Sequence, residues 1–79
     1  MRQLENLLVF LARQLVDEPD RVEVTGQESD SRVDLKLRVA EGDVGKVIGK
    51  GGRIVKAIRT VMKAASVKAQ KRVNVEVAD

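Results

Sequence analysis

The residues with a legible chemistry are Gly49-Lys50-Gly51-Gly52. Glycines at both ends of a four-residue stretch lack a Cβ, so a sugar-phosphate chain can approach the backbone closely. Gly49 can also take dihedral angles that other residues avoid. Lys50 adds a mobile positive charge at the tip, and Lys46 and Arg53 flank it. If Gly52 opens a helix, the first amides of that helix lack internal partners and point outward, and with the helix dipole they form an anion site. The chemistry on offer is the holding of phosphate.

Turnover chemistry has few candidates. Among the 79 residues there is no His, Cys, Trp or Tyr. The commonest general base, the commonest metal ligand and the thiol nucleophile are therefore missing. Asp, Glu, Lys and Ser occur, but in no recognisable constellation, so no enzyme, metal site or cofactor is expected. A nucleotide phosphate loop needs four residues between its first glycine and Gly-Lys, then Ser or Thr for magnesium. Here three residues separate Gly45 from Gly49, and Gly51 follows Lys50.

Charge is unevenly distributed. Residues 1–43 carry six basic and ten acidic side chains, whereas residues 44–79 carry nine basic and two acidic ones. No acid occurs between residues 44 and 75. One basic side is a usual footprint of polyanion binding; a lysine-rich solvated surface would give the same count.

Helices and strands must position the loop. Leu4, Leu7, Leu8, Leu11 and Leu15 recur with helical period, and Asp17-Glu18-Pro19-Asp20 is expected to end that helix. Val22 and Val24 alternate as in a strand, Ser29-Asp30-Ser31 reads as a turn, and Val33, Leu35, Leu37 and Val39 form the clearest strand. Glu41-Gly42-Asp43 reads as a helix start, with acids at the positive end of the dipole. That short helix holds residues 44–48 and stops at Gly49. A longer helix runs from near Gly52 to about Ala69, with Ile54, Ile58, Val61 and Ala65 as its expected buried stripe. Val73, Val75 and Val77 alternate as the last strand. The order αββααβ predicts an α+β fold, a three-stranded sheet with helices on one face, since each strand has one apolar face. Residues 1–79 read as a single domain. The longest apolar run, residues 7–12, is too short to cross a bilayer, Glu5 argues against a signal peptide, and a cysteine-free chain fits the cytoplasm.

Around the loop, Val47, Ile48 and Ile54 have two readings: anchors in the core, or walls of a narrow groove for bases. Lys56, Arg59 and Lys63 fall opposite the apolar stripe of the long helix, as a solvated face or as phosphate contacts. Phe10, the single aromatic, falls on the polar side of the first helix and marks a possible contact surface.

A Gly-x-x-Gly between two helices, in an acid-free segment after an αββ unit, resembles the KH domain of type II. The pattern Val-Ile-Gly-x-x-Gly-x-x-Ile is matched by Val47, Ile48, Gly49, Gly52 and, at the last apolar position, Val55 or Ile54. Asp43 to Lys50, Gly52-Arg53 and Lys56 to Thr60 are similar to the small bacterial single-KH RNA-binding proteins of the KhpA type, over essentially the whole chain. The resemblance implies that the strands at 33–39 and 73–77 run parallel. It also implies that Gly49, Lys50, Gly51 and Gly52 clamp about four nucleotides of single-stranded RNA. Lys46, Val47, Ile48, Arg53, Ile54, Lys56 and Arg59 are expected around them. It further implies a homodimer, a larger KH-containing partner of the KhpB type, and a regulatory setting in cell elongation and division. With no aromatic near the loop, recognition would rest on an apolar groove and hydrogen bonds rather than on base stacking.

Overall fold

The computed structural model describes residues 2–78. Helix α1 (Arg2–Arg13) is followed by strands β1 (Glu23–Glu28) and β2 (Arg32–Arg38), helices α2 (Val44–Ile48) and α3 (Arg53–Ala69), and strand β3 (Arg72–Val77). The sheet order is β1-β2-β3, with β1 and β2 antiparallel and β2 and β3 parallel. This is the α+β arrangement, with a mixed sheet, expected of a type II KH fold. The hairpin closes where expected, with the Ser29 N–H donating to the Arg32 carbonyl at 2.8 Å.

Strand alternation decides which side is covered. Val33, Leu35 and Leu37 of β2 and Val75 of β3 are buried under the helices, whereas Arg32, Lys36 and Arg38 face water. Leu4, Leu8 and Ala12 of α1, with Ile58 and Met62 of α3, close the other half of the core. Burying each of the larger side chains among them, the Val, Leu, Ile and Met, contributes roughly 1.5–3 kcal/mol.

Two features differ from the sequence expectation. Helix α1 ends at Arg13, well before Pro19, which instead opens a short 3-10 turn at Pro19–Arg21. A proline suits a first helical position because its missing N–H would be unpaired there. Beyond the helix, the Glu18 amide donates to the carboxylate of Asp43.

The buried stripe of α3 is Val55, Ile58, Met62 and Ser66, not Ile54, Ile58, Val61 and Ala65. The helix packs against both β3 and α1, and the face turned to the sheet is the one that closes. Ile54 and Ala65 end up half-buried, and Val61 is exposed.

Candidate nucleic-acid interface

Helix α2 is five residues long and ends at Gly49, whose N–H donates to the Gly45 carbonyl at 2.8 Å. Gly49 has φ 77° and ψ 170°, a region essentially reserved for glycine. A Cβ there would lie 2.6 Å from Cγ1 and 2.9 Å from the backbone nitrogen of Ile54. Ile54, the second residue of α3, thus packs against the bare Cα of Gly49, and this contact fixes the angle between the two helices.

Gly51 (φ 65°) and Gly52 (φ 78°) are both left-handed. A Cβ on Gly51 would meet nothing within 4 Å, so that position faces open space. The Gly52 N–H donates to the Gly49 carbonyl at 3.1 Å, closing a tight turn. Gly52 caps α3 without any side-chain hydrogen bond, so the first amides of a 17-residue helix have no side-chain cap and lie beside Lys50 and Arg53. Both cations are exposed. Backbone donors, the positive end of α3 and free cations converge on one loop, an arrangement that attracts phosphate.

The other expected site residues fall into distinct places. Lys56 is exposed one turn along α3. Arg59 lies farther along, and its Nε donates to the Val75 carbonyl of β3 at 3.2 Å. Ile48 and Ile54 are half-buried and packed against the core. Val47, by contrast, is completely buried. It is a core anchor and cannot form a groove wall, because α2 turns that side into the core.

Lys46 is also placed differently from the expectation of a loop-flanking cation. Its ammonium is bonded to the carboxylate of Asp17 and to Asp43 Oδ1, the latter at 3.2 Å. Asp43 is 2% exposed and also accepts the Glu18 N–H at 3.1 Å. Burial pushes its carboxyl up, but the amides of Asp17 and Glu18 and the Lys46 ammonium outweigh that and hold it below the usual range. Lys46 is correspondingly raised by its bonds to Asp17 and Asp43. Asp43 occupies the helix-start position but makes no capping bond of its own. Its carboxylate ties the α1–β1 connection to the helix that carries the loop. The i,i+3 spacing of Asp43 and Lys46 was the one sequence signal for this clasp.

A second surface lies between α1 and α3. Leu11, Leu15, Ile54, Ala57, Ile58 and Val61 line an apolar groove of about 400 Å³. Phe10, one turn before Gln14 of the groove's lining, is 60% exposed. No group of acidic side chains that could hold a metal occurs among the described residues, and no helix among them is long and apolar enough to cross a membrane.

Comparison with known proteins agrees with this fold. The family described as KhpA/KhpB, KH domain, matches residues 5–77. The RNA-binding protein KhpA of Clostridium acetobutylicum is 54% identical over 74 residues, covering 94% of this chain and 99% of that protein. The RNA-binding protein KhpA of Bacillus subtilis is 46% identical over 78 residues, covering 99% and 96%. Among solved structures, Aquifex aeolicus Era bound to GDP.AlF4− superposes with a TM-score of 0.71 at 18% identity, covering 95% of this chain and 29% of that one. Era in complex with MgGDPNP and nucleotides 1506–1542 of 16S ribosomal RNA gives 0.70 at 19%, covering 94% and 28%. At such identities the likeness is one of fold.

Proposed function

The chain belongs to the KhpA/KhpB KH-domain family, and from that membership we propose that it is a non-catalytic protein, one KH domain over residues 1–79, that clamps single-stranded RNA. The observation that carries this reading is the run of three positive-φ glycines, Gly49, Gly51 and Gly52, around the exposed Lys50 at the start of α3. The loop holds phosphates through backbone amides, with Lys50, Arg53 and Lys56 adding charge. Ile48 and the side of α3 that carries Arg59 offer the bases a surface without stacking. Lys46 and Val47 act behind the loop by holding α2 in place. The name of the curated relatives supports RNA as the ligand. A cytoplasmic location and a regulatory role acting on RNA in cell elongation and division, with a larger KhpB-type partner, complete the reading. Titration of an unstructured RNA followed by fluorescence anisotropy tests it. Saturable, salt-sensitive binding lost on charge reversal at the loop is the expected result.

The apolar groove between α1 and α3 favours a second role alongside the first. Leu15 and Val61 are 36% and 43% exposed at its mouth. An apolar strip of this kind on so small a domain suits association, and we read its occupant as a second copy of the chain. Two linked loops would raise weak RNA affinity through effective concentration. The alternative, an interaction module in which RNA binding is secondary, differs by requiring dimerisation without salt-sensitive RNA binding.

A further inference from the structure

The basic side chains do not stop at the loop. Lys56, Arg59 and Lys63 follow one another along α3 at spacings of three and four residues, which places them on one side of the helix. Arg59 fixes which side that is: its bond to the Val75 carbonyl sets the stripe along β3. The stripe ends at a hollow between the last turns of α3 and the first residues of β2 and β3, lined by Lys63, Val67, Arg72, Arg32 and Asn74 among others. Lys63 lies about 16 Å along the helix axis from Gly52, at 1.5 Å per residue.

The hollow holds charge that the fold does not consume. The parallel register sets Arg32 directly beside Arg72, and like charges so placed cost stability. Arg32 is relieved by Asp34, with Nε to Oδ1 at 2.8 Å, and Lys71 is relieved by Glu28. Among the described residues, Arg72 and Lys63 make no ion pair with a carboxylate, and both are exposed. The negative end of the α3 dipole points here and works against an anion, so attraction rests on the side chains alone. Cations in line with the loop, without an intervening acid on α3, match a chain of regularly spaced phosphates better than a compact acidic ligand.

We propose that this hollow is a second phosphate contact, reached by RNA strands that run on from the loop along α3 past the nucleotides the loop itself holds. The proposal rests on the loop reading above, and its test separates the two. Two unstructured RNAs are titrated over a range of salt, one of about four nucleotides and one about three times as long. Each is titrated against wild type, against Lys63→Gln/Arg72→Gln, and against the charge-keeping Lys63→Arg/Arg72→Lys.

Each phosphate contact on a single strand adds about 0.7 to the log–log salt slope. Wild type should therefore show a slope steeper by about 1.4 on the long RNA than on the short one. The glutamine variant should bind the short RNA as wild type does, lose that increment, and bind the long RNA about tenfold more weakly near physiological salt. The charge-keeping variant should retain it. Equal slopes for the two RNAs on wild type would overturn the proposal, as would an equal loss on both RNAs in the glutamine variant. Failure of the loop reading looks different: charge reversal at Lys50 and Gly51 would leave binding of the short RNA unchanged.

Discussion

The ammonium of Lys46 stands 3.2 Å from Oδ1 of Asp43, a carboxylate only 2% exposed that also receives the Glu18 amide. One side chain of α2 and one residue just before it thereby grip the connection between α1 and β1. The loop at Gly49 hangs from the other end of α2, so the clasp helps to hold the start of α3 in place. It also consumes the charge of Lys46, leaving Lys50, Arg53 and Lys56 as the exposed cations nearest the loop.

The clasp gives stability a defined pH dependence. Asp43 is lowered in the folded state, so its contribution is present above its ordinary carboxylate range, near 4, and disappears as pH falls through its lower folded value. Lys46 is raised, so its contribution is full below its ordinary range, near 10.4, and disappears only as pH rises past that. Urea unfolding midpoints should be level between about pH 5 and 9 for this pair. In Asp43→Asn the midpoint should be lower across that plateau, and the fall on the acid side should be shallower than in wild type. Identical acid limbs in the two proteins would show that the clasp does not contribute.

Two of the loop glycines should respond unequally to alanine. Gly49→Ala combines a glycine-only backbone region with a collision against Ile54, and should cost about 3 kcal/mol. Gly51→Ala meets open space and bears only the left-handed penalty, roughly 1–2 kcal/mol. Chemical denaturation at matched protein concentration reads the difference. Equal losses would mean that the contact between Gly49 and Ile54 does not set the helix angle.

Val61→Asp should break self-association and leave the monomer folded. Val61 is already 43% exposed, so the core loses little, while a carboxylate enters the apolar groove shared with Leu11 and Leu15. Sedimentation across micromolar concentrations should show dimer in wild type and at least about a tenfold weaker association in the variant, ~1.4 kcal/mol. Phe10→Ser should do less, since Phe10 is not among the residues that line the groove. A strictly monomeric wild type would remove the dimer from the reading.

Much of this was legible in the residue pattern, for physical reasons. Strand alternation at Val33, Leu35 and Leu37 has a period that only one face can satisfy, so the sheet and its covered side were readable. The loop was readable because its glycines perform a backbone task that no other residue performs. The rotation of α3 was not, because its apolar side is broad enough to serve both β3 and α1, and the choice of Met62 over Val61 is made by tertiary packing. Nor was the parting of Val47 from Ile48: neighbours on a helix point about 100° apart, and which of the two enters the core depends on how the five-residue α2 docks. The clasp joins Asp17 and Asp43 across 26 positions of sequence, a distance at which a single chain gives no signal of contact.

Charge reversal at the loop tip tests the RNA reading most directly. Lys50 and Gly51 lie between Gly49 and Gly52, and both are exposed. Gly51 is left-handed, a conformation aspartate tolerates better than most residues, so Lys50→Asp/Gly51→Asp should cost on the order of 1 kcal/mol and lower the melting temperature by roughly 4–8 °C. Two carboxylates where phosphate must sit would repel it and oppose the α3 dipole. With wild type, an unstructured RNA of about four nucleotides should bind with a log–log salt slope of about −3, corresponding to about four phosphate contacts. The variant should retain its helical circular dichroism and lose binding at matched salt. A folded variant that binds RNA with unchanged affinity would contradict the central claim and move the site to another surface.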